Sequence, residues 1–227
     1  MRKKIIVACL SLALVATVAI GGTLAYFTDK DQVTNVFTVG KVDIELRENF
    51  EQDSLLMPGS QKSGTVKKEV FVDCSEDSQP TYVRVHIAIP HILDEGDPSF
   101  DAKNNVLHFN FPNNEGYKDS WSWNDPATGK PYYYYETEIE GKLYNVYVVT
   151  YLKELAPGTT TEYPAMNQVY LDKRVTSEDA AKINEALGKW NILVVAEGTQ
   201  AANFTDAFTA LETSFGHASA ESNPFLK

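Results

Sequence analysis

The chain is short of cysteine, histidine and positive charge. Of its two cysteines, Cys9 sits in an apolar N-terminal run and Cys74 is the other, so no intrachain disulfide is expected once that run is removed. The fold then has to be held by its core. Basic residues number 20 against 31 acidic ones, for a formal charge of −11. Such a surface repels nucleic acid and anionic lipid, and the acidity itself reads as a solvated extracellular surface. The histidines are four, and none forms the HExxH pattern of a common zinc peptidase, whose two histidines sit one helical turn apart so that both nitrogens reach one ion. His86 and His91 differ by five and point to opposite faces of a regular strand, while His108 and His217 are solitary, so each is expected on the surface or in a loop. Serine-nucleophile motifs, phosphate-binding glycine loops and EF-hand loops are missing as well. Cys74 follows a strand with no histidine near it in sequence and reads as a half-buried thiol, with intermolecular oxidation as the alternative. Asp94-Glu95-Gly96-Asp97 offers carboxylates to calcium, but four residues make a weak pattern, and an exposed loop is the simpler reading.

Long apolar runs are also scarce. The exception is residues 5–20, preceded by Arg2, Lys3 and Lys4 and broken by Gly21-Gly22 before the small residues Thr23 and Ala25. This is the layout of a secretory signal peptide. Sixteen helical residues cover roughly 24 Å, short of the ~30 Å hydrocarbon core, so cleavage is expected and an uncleaved anchor is the alternative. Small residues at Thr23 and Ala25 place the cut between Ala25 and Tyr26. No lipobox surrounds Cys9. Removing residues 1–25, with their three basic and no acidic side chains, leaves 202 residues, 17 of them basic and 31 acidic, for a formal charge of −14. That length suits one large β domain, with no long linker to divide it.

Period-two alternation dominates the rest of the chain. Val33, Phe37 and Val39 share one parity and Val42, Ile44 and Leu46 the other, with Gly40 between, so a strand is expected to bend there and the folded body to begin near Val42. Residues 47–56 read as a polar loop and Met57-Pro58-Gly59 as a turn. Val66, Val70 and Val72, then Val83, Val85, Ile87 and Ile89, mark two strands expected to be antiparallel neighbours with one buried face each. Residues 90–130 are irregular, with a short strand expected near 106–111. Residues 132–139 and 143–152 flank Glu140-Gly141-Lys142 as a hairpin. The four tyrosines 132–135 put two rings on each face of that strand. Residues 159–161 and 168–171 are strand-compatible. Thr176 and Asp179 form a capping box for a helix carrying Ala180, Ile183 and Leu187. Residues 192–196 are expected to form a central buried strand. Phe204, Phe208, Leu211 and Phe215 fit a second short helix ending at Gly216, and residues 217–227 are expected to be a loose, flexible tail. The fold class is mainly β: an antiparallel jelly-roll β-sandwich with two short helices after an N-terminal signal peptide. The expected segments are 1–25 signal peptide, 26–41 N-terminal arm, 42–216 domain and 217–227 tail.

Gly21-Gly22-Thr23-Leu24-Ala25-Tyr26-Phe27-Thr28-Asp29 followed by Thr38-Val39-Gly40-Lys41-Val42-Asp43-Ile44-Glu45-Leu46 resembles the start of the TasA/camelysin-like secreted proteins of Gram-positive bacteria. Met57-Pro58-Gly59 through Tyr82-Val83-Arg84-Val85, and residues 192–200 with Phe204-Thr205-Asp206-Ala207, are similar too. Residues 91–190 match no family feature. The resemblance implies export with a signal peptide cut by a dedicated endoplasmic-reticulum-type peptidase (the SipW-dependent type). It also implies a jelly-roll protein of the cell surface or biofilm matrix, whose relatives form fibres in which the N-terminal segment of one subunit completes the sheet of the next. In this chain that segment is residues 26–39, with Tyr26, Phe27, Val33, Val36, Phe37 and Val39 as its apolar side chains. Ordering fourteen residues costs roughly 14–28 kcal/mol. Ladder hydrogen bonds at about 1 kcal/mol each and six buried side chains at about 2 kcal/mol each nearly offset it. An arm so balanced can exchange between subunits.

The leading expectation is therefore a secreted structural protein of the cell surface or extracellular matrix, with no catalytic residues. Its expected partners are copies of itself or other matrix proteins, together with the signal peptidase. It would touch the membrane only through an uncleaved signal peptide. No cofactor is called for, with calcium and zinc left open. The alternatives are a camelysin-like metal-dependent endopeptidase, which rests on the family's label alone, and a monomeric adhesin binding through the aromatic stretch 109–135.

Overall fold

The segment Thr81–Pro90, β4, is buried at all ten positions. In a computed structural model of the chain, described over residues 41–50, 56–96, 99–100, 105–112, 114–188 and 190–226, β4 lies inside one of two five-stranded sheets. It pairs antiparallel with β10 (Leu193–Gln200) on one side and β8 (Lys142–Tyr151) on the other. β8 also carries β6 (Trp121–Ser122) and β7 (Tyr134–Ile139). The signal peptide, the cut between Ala25 and Tyr26, and the arm through Val39 lie outside the described residues.

The other sheet runs β1 (Ile44–Phe50), β3 (Val66–Cys74), β9 (Gln168–Asp172), with the short β2 (Pro58–Gly59) and β5 (Leu107–Asn110) also on β9. Val66, Val70 and Val72 from this sheet, with Val83, Val85, Ile87, Ile89 and Val149 from the first, belong to one core cluster. Alternation explains this: the β-branched residues of β3 and β4 turn to the same interior.

Several expectations hold. β3, β4, β5 and the helix Ser177–Leu187 (α3, after the one-turn helices α1, His91–Asp94, and α2, Glu115–Lys118) fall where the patterns put them. The capping box is present: Thr176 Oγ1 accepts from the Asp179 N–H at 3.1 Å, and Asp179 accepts from the Thr176 N–H at 2.9 Å. The β7–β8 hairpin closes through Glu140 and Gly141, both at positive φ, as a twist-matched two-residue turn requires. α4, Ala207–Phe215, ends at Gly216.

Others are corrected. β3 and β4 are not neighbours but lie in different sheets, because the turn at 75–80 carries the chain across the core. Residues 47–50 are strand and not loop: Arg47 pairs with Asp73 at 3.0 Å and Asn49 with Glu69 at 3.0 Å, which supports polar side chains on the outer face of β1. Residues 193–196 form a sheet margin, half-buried, and not a central strand. The tail is anchored across the outer face of the β4 sheet. Ala218 and Asn223 are buried, Asn223 donates to Thr137 at 3.1 Å, and Phe225 packs beside Ile139, Tyr144 and Leu193. Sequence alternation hides such a cover, since a polar tail contacts a sheet through a few scattered side chains.

Ile87 is fully buried at the middle of β4, so Ile87→Ala is expected to cost about 2–5 kcal/mol. Urea unfolding followed by tryptophan fluorescence checks this, and a loss below about 1 kcal/mol would place the load elsewhere.

Candidate functional site: a groove between two strand margins

Among the described residues β1 and β10 each lie at a margin of their sheet, and at one end they meet. A side chain on Gly198 would bring its Cβ within 2.9 Å of Ile44 Cδ1 and 3.1 Å of Thr81 Cγ2, so the glycine permits that approach. Away from this contact, toward Phe50 and Leu193, lies a groove of about 1120 Å³. Its walls are mainly apolar: Phe50 and Val66 from one sheet, Leu171 from β9, Ile183 from α3, and Leu193 and Val194 from β10. Lys142 Nζ donates to the Leu187 carbonyl at 2.6 Å, tying the C-terminal end of α3 to β8.

One wall position is charged and enclosed. Lys68 is 5 % exposed. It alternates with Val66 and Val70 along β3 and so shares their inward face. Its Nζ is 2.8 Å from Glu48 Oε2 and 5.0 Å from the centre of the Phe50 ring.

The margins of the β4 sheet differ in kind. Among the described residues, β10 has a strand partner on one side only, β4, and its first four residues are Leu193, Val194, Val195 and Ala196. β7, at the far margin, exposes Glu136 and Glu138. Acidic residues on a margin deter pairing with another chain, and β10 lacks that protection at its apolar end.

On the opposite face of β4 lies a polar network. Arg84, 1 % exposed, donates through Nε and Nη2 to Glu197 at 2.8 and 2.7 Å, and through Nη1 to Glu212 and to the Gly216 carbonyl, both at 3.1 Å. His86 Nε2 lies 3.1 Å from the same Glu197 oxygen, with Tyr135 Oη 3.4 Å from its Nδ1. Tyr133 Oη accepts from the Ala218 N–H and lies 3.0 Å from His217 Nδ1. The network clamps α4 and the tail to the sheet. Arg84 and His86 lie more than a hundred residues from Glu197, and Arg84 as far from Glu212 and Gly216, so sequence reading missed the network. The signal was an arginine and a histidine alternating within an apolar strand.

The residues considered for chemistry are dispersed. His86 is fully buried, against the surface or loop expected of it. His91 lies 2.9 Å from Asn145, His108 2.8 Å from Asp172, and His217 3.0 Å from Glu212. No three His, Cys, Asp or Glu side chains among the described residues are arranged to hold a metal ion. Cys74 is the last residue of β3 and buried, more enclosed than the half-buried thiol expected. Asp94 is buried and not in an exposed loop, accepting from Asn145 at 2.7 Å and from Tyr147 at 2.6 Å; Asp97 lies outside the described residues. Phe111 stacks on Tyr117 and Trp123, Phe109 stacks on Trp123, and Tyr147 meets Phe109 and Trp123 at steep angles, leaving Tyr132 and Tyr134 as the exposed rings of this stretch. The cleavage residues Thr23, Ala25 and Tyr26 and the arm residues Phe27, Val33, Val36, Phe37 and Val39 lie outside the described residues.

Burial alone would raise the Glu197 carboxyl, but the His86 hydrogen bond and the Arg84 charge outweigh it and hold it below the usual carboxylate range. A lowered value stabilises the fold above the unfolded carboxylate pKa, about 4.3, and that stability is lost as pH falls through the folded value. Glu197→Ala, which takes the most enclosed carboxylate from Arg84 and leaves it Glu212 and the Gly216 carbonyl, is expected to cost about 3 kcal/mol at neutral pH. In acid titrations followed by circular dichroism, Glu197→Gln should show a shallower stability loss below about pH 4 than the parent. An equally steep loss would remove Glu197 from the account.

The sequence profile described as camelysin metallo-endopeptidase matches residues 1–61, about a quarter of the chain. No curated protein and no solved structure matches it.

Proposed function

We propose, from the premise that residues 1–61 are those of the TasA/camelysin-like family, that this is a secreted structural subunit of a bacterial cell surface or biofilm matrix that polymerises by strand exchange. Its two sheets are read as a jelly roll. A signal peptidase of the SipW-dependent type cuts between Ala25 and Tyr26 and frees residues 26–39. That arm then enters the groove of a second copy and adds to the open margin of β10. The observation that carries this reading is the groove itself: mainly apolar walls beside the uncharged 193–196 end of the β10 margin. Length agrees, since fourteen extended residues reach about 46 Å, and the eight of β10 need about 26 Å. Strand addition supplies affinity through main-chain hydrogen bonds and specificity through alternate side chains.

The family's description names an endopeptidase. Casein cleavage by purified protein, with and without added zinc, is the direct assay for that activity. On the structural reading neither condition yields cleavage.

Protein secreted by the native host is expected to begin at Tyr26 by N-terminal sequencing. Protein beginning at Tyr26 is expected to form filaments visible by electron microscopy, and protein beginning at Gly40 to remain monomeric. Filaments from the shorter protein would refute strand exchange.

A further inference from the structure

Lys68 is an expensive residue to enclose in an apolar wall, because desolvating an ammonium costs several kcal/mol unless a partner compensates it. Its compensation comes from the face of the Phe50 ring and, at the rim, from Glu48, whose side chain is 35 % exposed against 6 % for that of Lys68. Lys68 is also the one basic side chain among the described residues lining the groove. A feature of this kind discriminates between occupants, since an apolar strand seated over it would trap an ion pair against a surface with no compensating group.

The arm has the matching pattern. In an extended strand, side chains two apart share a face. If Val33, Phe37 and Val39 turn to the groove wall, then Asp29, Asp31 and Asn35 turn the same way. Asp31 is the next inward position before Val33, about 7 Å from it along the strand. An acid there, inside an apolar groove, needs a cation.

Resting on the strand-exchange reading, we propose that Lys68 sets the register of the docked arm by receiving Asp31 of a second copy. The ammonium has three donors, so it can hold Asp31 while Glu48 stays at the rim. Val33 then meets the apolar wall formed by Val66 and Leu171. A slip of one residue would turn every inward side chain outward, and a slip of two would set the apolar wall against Asp31 and leave Lys68 without it. The pair thus selects this arm over other apolar strands.

The test measures filament growth of the mature chain in a charge-exchange series, followed by light scattering and electron microscopy. Lys68→Glu and Asp31→Lys are each expected to slow growth at least about ten-fold, and the doubly substituted protein to return to within about three-fold of the parent. Circular dichroism melts confirm that each protein is folded. Should Lys68→Glu fail to fold beside Glu48, a second cycle decides. Asp31→Asn should slow growth in the Lys68 protein and have no effect in the Lys68→Met protein, while Asp29→Asn should behave alike in both. Additive effects in folded proteins, or coupling to Asp29 in place of Asp31, would overturn the register while leaving strand exchange intact. If the parent forms no filaments, or protein beginning at Gly40 does, strand exchange fails and this inference fails with it.

Discussion

A strand at the margin of a sheet leaves alternate backbone N–H and C=O groups without a ladder partner, and among the described residues β10 is such a strand, beside a mainly apolar groove. Proteins deter unwanted pairing at such a margin with charge, and β7 does so with Glu136 and Glu138. β10 begins Leu-Val-Val-Ala, half-buried and uncharged. The contact of Ile44 with Gly198 joins β1 and β10 at one end. Among the described residues no strand pairs with the other end of this margin, and the proposed function is argued from that asymmetry.

The remainder of the domain keeps this margin in place. β10 is held on its inner side by an eight-residue antiparallel ladder to β4. β4 is pinned in turn from both faces: the valines and isoleucines meet the core, while Arg84 and His86 converge on Glu197 of β10 itself. The buried ion pair therefore ties the margin strand to its neighbour by side chains as well as by backbone. The same arginine holds Glu212 and the Gly216 carbonyl, so α4 and the tail complete a roof over the outer face. Among the described residues Cys74 is a free thiol, so this combination of apolar core and enclosed polar clamp is what holds β10 in place.

Much of the domain was legible in sequence, and the failures have a common cause. Local signals worked where the structure is local: the Glu140-Gly141 turn, the Thr176–Asp179 box and the alternation of β3. They failed where long-range contact decides. The run at 192–196 looks central because all its side chains are apolar, yet one side faces a groove. β4 appears one-faced because Arg84 and His86 are polar, yet both are buried and share Glu197, a partner more than a hundred residues away. Lys68 sits in a run of charge between Lys67 and Glu69, and its inward position emerges only from its shared parity with Val66 and Val70. The groove itself could not be read from the chain, because β1, β3, β7, β9, α3, β10 and the tail all contribute to its walls.

The central claim is that the margin of β10 becomes a paired strand on assembly, and backbone hydrogen exchange reads it directly. Amides of β10 that point away from β4 should exchange rapidly in monomer and become strongly protected in filaments, with those already bonded to β4 changing little. Unchanged exchange along Leu193–Gln200 between monomer and filament would contradict the account.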